Sequence, residues 1–416
     1  MNILNNDPNH PLIANTGQYV KYKKIVSIHS EDRNILKFPL ASHFEIDLPD
    51  DLINIESVKL VSWGFPSNYD VFSLENKNLE LTFTFPSAAN ITIPPMNPTA
   101  SPPITDTYLL TLPKVYDILV ASVGHEFVVV INPGSYDPPH LVMELTNKMN
   151  NVVQSYIVQK MNETGYDPTP FTAGSSTYQG GYNGFAVAFN KVSNKIWFGN
   201  NISQFELTND SQYINKSLRE LYCVYKSLPD FSNYGLPSNI GLPKLNVTAT
   251  QATDALDYTF TYENYKVPIF SGGSGTWITP TSAWNGPVYY IQCLHKINIM
   301  GPSHFYMDIP ELNNIDETSP YNLSKFTRQT NITNGRVESA FAKIAIPGLP
   351  LSLWYDINAE GNYKFFDPPA ERIRKLNITI RYHNGMMVDF ETFNFTFCLE
   401  FTLLNGYISK KFNMRR

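Results

Sequence analysis

The C-terminal segment 376–403 constrains the fold of this chain more than any other segment, because apolar residues occupy every second position in two successive runs. Alternation with a period of two is typical of β-strands that bury one face. Between the runs, Asn384-Gly385 is the residue pair that a tight type I′ turn favours. The pattern therefore predicts a closing hairpin at the end of a β-sandwich or barrel. The alternating residues are Leu376, Ile378, Ile380 and Tyr382, then Phe393, Phe395, Phe397, Leu399, Phe401 and Leu403.

Shorter alternating runs, separated by turn residues, extend the β pattern through the chain. Residues 185–189 and 196–198 are predicted to pair as a hairpin across a turn at 191–194. A proline-rich segment at 93–107 cannot join a central sheet, so we expect a long surface loop there. Further strands are predicted at residues 44–48, 53–66, 126–131, 288–299, 305–309 and 337–346.

One segment interrupts the β pattern with a clear helix signal. Asp137 can cap a helix, and Pro138 suits its first turn. The sequence predicts one amphipathic helix near 138–155, with apolar residues at helical spacing at Leu141, Leu145, Met149 and Val152.

Composition agrees with a folded, turn-rich and mostly β protein. Only 16% of the residues are charged, against about 25% in an average soluble domain, while 13% are aromatic and 30 residues are prolines. The N-terminus lacks the basic and apolar regions of a signal peptide, and no run of 18 apolar residues could span a membrane. Three widely spaced cysteines argue against a disulfide framework. These features favour synthesis and folding inside a cell.

The charge of the chain argues against a protein that coats nucleic acid, because its net charge is −6 and phosphate neutralisation needs clustered lysine and arginine. Two small basic clusters leave two interpretations open, solvated chain ends or contact with a polyanion or an acidic neighbour. They are Lys21, Lys23 and Lys24, and Lys410, Lys411, Arg415 and Arg416.

Motifs of enzymes are absent from the sequence: there is no GxGxxG, P-loop, GxSxG or HExxH, and Gly272-Gly273-Ser274-Gly275 lacks a strand-to-helix setting. His29 beside Glu31 and Asp32 is better explained by a turn than by a metal site. Cys398 lies in an apolar strand, so we expect inert packing. The acidic run 308–317 lacks the ligand spacing of calcium loops. No catalytic, cofactor-binding or metal-binding residue is therefore assigned.

Asn-x-Ser/Thr sequons are frequent, but two of them lie inside the strongest strands, where a glycan would disrupt packing. We therefore attribute them to the abundance of asparagine. The ten sites are Asn90, Asn162, Asn201, Asn209, Asn215, Asn246, Asn322, Asn331, Asn377 and Asn394.

Three segments resemble a known family when they are taken in order. The run SIHSEDRNILKFPLASHFEIDLPDDLINIESVKLVSWGFP at 27–66 and the run FFDPPAERIRKLNITIRYHNGMMVDFETFNFTFCLEF at 365–401 resemble the start and finish of minor capsid proteins of large icosahedral nucleocytoplasmic DNA viruses. The segment INPGSYDPPHLVMELTNKMN at 131–150 is similar to a strand-to-helix segment of those proteins and of related single jelly-roll vertex proteins.

The resemblance implies an eight-stranded jelly-roll β-sandwich with long loop insertions, in which the first and last strands pair in one sheet. Its layout would be an extended arm at 1–17, the first part of the sandwich at 18–230, an insertion or subdomain junction at 231–285, and the remaining strands with the closing hairpin at 286–416. Segments 93–107, 160–182 and 230–285 resemble nothing in the family, so a second, smaller β subdomain remains open.

The resemblance also implies a function, that of a structural, non-enzymatic protein of the virion capsid shell made in the host cytoplasm. It would be a minor capsid protein that cements major capsomers through loop and arm contacts, with capsomers and other minor capsid proteins as partners. The sequence itself indicates no specific nucleic acid, no membrane contact and no cofactor. A five-fold vertex protein that self-associates around a symmetry axis is the first alternative. A glycan- or receptor-binding β-sandwich is the second, because the chain has 25 tyrosines and 5 tryptophans.

Overall fold

The computed structural model describes residues 19–67, 69–74, 76–92, 106–175, 180–209, 235–251, 288–317, 338–346, 352–356, 362–383 and 387–406. The chain divides into two units, which are described separately. The first contains residues 1–69, 302–322 and 327–416, and the second contains residues 70–301 and 323–326.

Strands dominate the described residues, and all of their pairings are antiparallel. The strands are β1 Tyr19–His29, β2 His43–Ser67, β3 Glu80–Thr84, β4 Phe127–Val130, β5 Phe185–Asn190, β6 Lys195–Asn200, β7 Glu206–Leu207, β8 Val247–Thr248, β9 Thr250–Gln251, β10 Tyr289–Gln292, β11 His304–Asp308, β12 Ile315–Glu317, β13 Glu338–Ala340, β14 Ala342–Ala345, β15 Ser352–Asp356, β16 Tyr363–Arg381 and β17 Thr396–Gly406. The helices are α1 Thr107–Ala121, α2 Pro138–Glu163, α3 Thr169–Ala173 and α4 Leu236–Asn239.

The first unit is built from two groups of four strands that share their two longest members. Its strand order is β1-β17-β2-β16-β11-β14, with β15 also paired to β2. The second part of β2 lies between β17 and the first part of β16, whereas residues 43–47 of β2 pair only with residues 375–379 of β16. The first sheet is therefore β1-β17-β2-β16, and the second is β2-β16-β11-β14. This is the strand order of a jelly roll, as the sequence predicted.

Contacts between aromatic rings show that β2 bends from one sheet into the other. The Phe395 ring lies 6.1 Å from that of Phe44 and 4.6 Å from that of Phe65. In a straight strand, two residues 21 positions apart would be separated by roughly 70 Å. The β2–β16 pairing shifts register between Asp47 and Leu52, and Pro49 lies in that step, where it interrupts no ladder bond. The bend brings the two sheets face to face around a shared core.

The ends of the chain meet as predicted, but the closing hairpin was predicted wrongly. β1 pairs with β17 over eleven consecutive residue pairs, so the first and last strands are neighbours. β16 and β17, however, are not partners, because β2 lies between them. The segment 382–395 is long enough to connect β16 to β17 across the intervening β2. The alternation of apolar residues in β17 would be the same beside either strand, so it could not show which strand is its partner. Asn384-Gly385 lies outside the described residues.

The second unit contains two four-stranded sheets, with the orders β5-β6-β10-β9 and β4-β3-β7-β8, and helix α2. Its core is aromatic: the Phe83 ring lies 5.1 Å from Phe127 and 4.9 Å from Phe185. Helix α2 begins at Pro138 as predicted, and the Asp137 carboxylate accepts a hydrogen bond from the backbone of its first turn. The helix continues to residue 163, which is beyond the predicted end.

Polar side chains of α2 complete the hydrogen bonds of strand β5, an edge strand. The Asn150 amide donates to the Phe185 carbonyl at 2.8 Å and accepts from the Phe185 N–H at 2.9 Å. The Thr146 hydroxyl accepts from the Val187 N–H at 2.9 Å. Buried backbone groups must be paired, so these side chains take the place of another strand.

Helix α1 was not predicted, so the expectation of a single amphipathic helix was wrong. Pro113 lies inside α1, and a proline normally argues against a helix interior. The Asp106 carboxylate caps α1 through the Tyr108 N–H at 3.0 Å. Most of the predicted loop 93–107 lies outside the described residues. Within the described residues, no helix combines the length and apolar character that crossing a membrane requires.

The expected layout can be compared with the structure only in part. The arm at 1–17 and the boundaries near 230 and 285 lie outside the described residues. Residues 70–209, which were expected in the first part of the jelly roll, fall in the second unit. Hydrophobic alternation identifies a strand but not the sheet to which it belongs.

We expect Phe397→Asp to destabilise the first unit, because Phe397 is only 1% exposed and the substitution would bury an unpaired charge. The free energy of unfolding should fall by at least about 4 kcal/mol, measured by urea denaturation. Thr402→Asp is the matched control, since Thr402 lies on the opposite face of the same strand. Equal stability of the two variants would contradict the assignment of the β17 core face.

Asn150→Ala tests the closure of the β5 edge. It should lower the free energy of unfolding by about 2–4 kcal/mol, because two buried backbone groups of Phe185 lose their partner. The neighbouring Asn151 is exposed, so Asn151→Ala should change stability by less than about 0.5 kcal/mol. Thermal unfolding of both variants checks the difference.

Candidate interaction surface

The loop of residues 30–40, which joins β1 to β2, presents large apolar side chains to solvent. Leu36 is 95% exposed, Ile35 is 64% exposed and Leu40 is 44% exposed. Single exposed apolar residues are common, but three in one short loop form a patch that suits contact with another surface. Ile35 and Leu36 are called the apolar tip below.

Arg33 holds the base of the 30–40 loop. Its guanidinium donates to the Phe38 carbonyl at 3.0 Å, to the Ser30 carbonyl at 2.6 Å and to the Pro39 carbonyl at 3.1 Å. It also donates to the side-chain oxygen of Asn394 at 2.8 Å. Hydrogen bonds from a charged donor are stronger than neutral ones, and a planar guanidinium fixes their directions. Arg33 therefore fastens both ends of the loop together.

A local turn at Asn34 shapes the apolar tip. The Asn34 side-chain oxygen accepts from the backbone N–H groups of Leu36 and Lys37, both at 3.2 Å. The Asn34 carbonyl accepts from the Phe38 N–H at 2.8 Å. Asparagine favours such turns because its side chain imitates a backbone acceptor. The tip thus has a defined conformation although its side chains contact solvent.

The loop is also tied to the start of β17. The Ser30 N–H donates to the Phe395 carbonyl, and the Ser30 hydroxyl accepts from the Phe395 N–H, both at 2.9 Å. The Ser30 hydroxyl donates to Asn394 at 3.2 Å. Residues 365 positions apart in the sequence are therefore joined at the root of the loop.

The far side of the loop is attached to the second sheet. The Phe38 ring packs edge-on against His43 at 5.6 Å. The Lys37 ammonium lies 2.9 Å from the Glu45 carboxylate, which is also 3.4 Å from the Lys375 ammonium. The hydrogen bond from Lys37 lowers the pKa of the Glu45 carboxyl, and Lys375 adds to this effect. Such exposed ion pairs contribute little stability, but they orient the loop toward the second sheet.

Among the described residues, the groups considered for chemistry form hydrogen bonds, ion pairs and strand pairings within the fold. His29 lies 3.9 Å from Glu31 and 3.1 Å from the Ser27 hydroxyl. In the acidic run, the Asn313 amide binds Asp308 at 2.6 Å, and Asp316 pairs with Ser339 in a β-ladder. No group of three or more His, Cys, Asp or Glu side chains that could hold a metal occurs among the described residues.

The interpretation of Cys398 needs a correction. It was expected to pack inside an apolar strand, but it is only half-buried and lies on the face opposite Phe397 and Leu399. The period-two rule itself requires this, because neighbours along a strand point to opposite faces. Phe393, which was expected in the buried run, is 47% exposed because it precedes β17 and the alternation of that strand does not extend to it.

Several sequons serve the fold directly, as their buried or bonded amides show. Asn209 is 2% exposed, and its amide donates to the carbonyls of Pro243 and Leu245 at 2.9 and 3.1 Å. Asn394 accepts the hydrogen bonds of Arg33 and Ser30.

The first basic cluster forms ion pairs within the first unit. Lys21 contacts Glu56, Lys23 lies 2.8 Å from Glu400, and Lys24 contacts Asp50. The basic residues at 410–416 and the glycine-rich segment at 272–275 lie outside the described residues.

Sequence reasoning missed the role of Arg33. Ser30-Glu31-Asp32-Arg33 is a charged run in the sequence, but three of the four acceptors of Arg33 are backbone carbonyls. Every residue has such a carbonyl, so no pattern of side chains reveals them. The one specific signal is Asn394, which lies far away in the sequence.

Comparisons with known proteins give only weak likenesses. No protein-family model matches the chain, and no curated protein matches it. Among solved structures, the chain is similar to the mavirus penton protein, with 9% identity over 93% of this chain and 100% of that one, at a TM-score of 0.35. It is also similar to a chain in the cryo-EM structure of the Sputnik virophage, with 10% identity over 93% of this chain and 98% of that one, at a TM-score of 0.35.

Arg33→Ala should loosen the 30–40 loop, because four oxygen atoms lose a charged donor. Hydrogen–deuterium exchange of residues 34–40 should accelerate at least tenfold, and stability should fall by about 1–3 kcal/mol. Arg374→Ala removes an exposed arginine, whose ion pair with Asp51 is 3.7 Å long, and should leave exchange in the loop unchanged. Unchanged exchange in Arg33→Ala would refute the fastening role.

Proposed function

We propose that this chain is a structural component of an icosahedral virus capsid, a minor capsid protein that cements major capsomers through loop contacts. The observation that carries the proposal is the apolar tip on an ordered loop of a jelly roll. Viral capsid proteins are among the proteins that use this architecture, although fold alone does not decide function.

The construction of the 30–40 loop suits docking. Ordering a flexible loop during association costs free energy, so a loop that is already fixed binds better with the same contacts. Arg33, Asn34 and Ser30 fix this loop before any partner arrives. In a shell, one small contact is repeated at many equivalent positions, and tethered contacts reinforce one another.

A five-fold vertex protein is the second candidate, and the inserted second unit favours it. Residues 70–301 lie between two strands of the jelly roll, β2 and β11. A chain of 416 residues is longer than a single jelly roll needs, and the inserted second unit accounts for the additional length. A stable pentamer of the purified chain, measured by light scattering, would favour the vertex position over a position beneath the facets.

Glycan binding has less support, because sugar-binding sites need exposed aromatic faces. Trp63 is 7% exposed and Trp197 is fully buried. These two tryptophans contribute to the core, so the alternative rests on exposed tyrosines such as Tyr22, Tyr166 and Tyr363. A screen of immobilised glycans without any binding would end this alternative.

Leu36→Asp tests the capsid proposal, because it places a charge at the apolar tip without touching the core. Incorporation of the chain into purified virions, measured by quantitative mass spectrometry, should fall at least tenfold while the thermal stability of the free protein stays the same. Val192→Asp is the matched control: Val192 is 94% exposed, almost the same as Leu36, but lies in the β5–β6 turn. Wild-type incorporation of Leu36→Asp would contradict docking by the tip, and absence of the unmodified chain from virions would contradict the proposal as a whole.

A further inference from the structure

The lateral edges of the first sheet both present large apolar side chains to solvent. On β1, Val20 is 49% exposed, Tyr22 is 42% exposed and Ile25 is 61% exposed. On β16, Tyr363 is 53% exposed and Phe365 is 55% exposed. Within the described part of the chain, β1 has one strand partner, β17, so its other side is an edge. Edge strands with exposed apolar residues are typical sites of association.

Pairing across the sheet places Ile25, Tyr363 and Phe365 in common rows on its outer face, whereas Val20 and Tyr22 alternate with Ile25 and lie on the opposite face with Val26 and Ile28. One row runs from Ile25 through Glu400 and Lys59 to Tyr363. The next row runs from Lys23 through Thr402 and Ser57 to Phe365. Residues that pair directly point to the same face, so each row begins at one edge of the sheet and ends at the other.

The third step along the two edges adds opposite charges. Two residues before Lys23 on β1 is Lys21, and Asp367 follows Phe365 in the irregular step 366–369, where β16 leaves its regular pairing with β2. The Lys21 side chain is 52% exposed and contacts Glu56, but an ammonium has three donors and one ion pair leaves others available. Asp367 is exposed and has no ion-pair partner among the residues that the structure describes.

We infer that the β1 edge of one copy docks against the β16 edge of a second copy, head to tail. β1 and β16 run in opposite directions because three antiparallel pairings separate them. A neighbouring copy would therefore meet β1 in an antiparallel register that places Ile25 beside Tyr363, Lys23 beside Phe365 and Lys21 beside Asp367. The register combines an apolar contact, a cation over an aromatic ring and an ion pair.

The contact is formed by side chains on the outer face. In the free chain, the exposed Asn314 amide donates to the Tyr363 carbonyl at 3.2 Å, which occupies part of the β16 backbone edge. The two edges differ from each other, so the interface is heterologous, and repetition produces a ring when the rotation closes. This inference deepens the proposed capsid function by naming a partner, a second copy of this chain.

Crosslinking of the purified chain tests this inference. Ile25→Cys and Tyr363→Cys are combined in one chain with Cys223→Ser and Cys398→Ser. The crosslinker is a bismaleimide whose span is shorter than the distance between the two outer strands of the first sheet. Within one copy the two positions are three strand spacings apart, about 14 Å, so the reagent can join them only between copies. A ladder of dimers, trimers and larger species is expected. The control pair Ile25→Cys with Val192→Cys should give monomers.

Charge variants provide a second measurement that does not depend on crosslinking. Asp367→Lys should shift the assembled chain to monomers in size-exclusion chromatography with light scattering, and Lys21→Asp in the same chain should restore assembly. Lys296→Glu reverses an exposed charge elsewhere and should have no effect. A monomeric unmodified chain, dimers without larger species, or failure of the double variant to assemble would each overturn the inference. Because no virion is used, these results are independent of the test of the capsid function.

Discussion

The jelly roll depends on the contact of one ring, Phe395, with both ends of β2. Phe44 and Phe65 lie far apart along the same strand, and each packs against Phe395 in the core. Because β2 and β16 contribute to both sheets, the two sheets cannot separate without breaking backbone ladders. The hydrophobic core and the hydrogen bonds therefore form one cooperative structure. This structure determines the positions of the outer faces and the loops.

Side chains complete backbone hydrogen bonding beside two strands of the structure. The Ser30 hydroxyl does so at the start of β17, and Thr146 and Asn150 do so beside β5. An unpaired buried backbone group would cost about 1–3 kcal/mol, so these side chains are as necessary as apolar ones. The high content of asparagine has a structural use at these positions, in addition to its effect on composition.

Local patterns in the sequence predicted local structure, and long-range pairing was beyond them. Alternation identified the buried residues Leu376, Ile378 and Ile380, and the Asp137-Pro138 pair identified the start of helix α2, because burial and capping act within a few residues. It could not show that β2 lies between β16 and β17, since a strand has the same alternation beside any neighbour. Arg33 was missed as the fastener of the loop because carbonyl acceptors have no sequence signature.

Exposure alone does not distinguish a docking loop from an ordinary turn, and the comparison of Leu36 with Val192 shows why. Both are almost fully exposed, and both follow an asparagine whose side chain accepts backbone N–H groups, Asn34 in one case and Asn190 in the other. The Asn190 turn joins β5 and β6, which pair with each other, whereas β1 and β2 are consecutive strands that do not pair. The 30–40 loop is instead joined to β17 through Asn394 and to β16 through Glu45 and Lys375. Its tip is therefore positioned by the whole jelly roll, and a partner that recognises the tip recognises the folded unit.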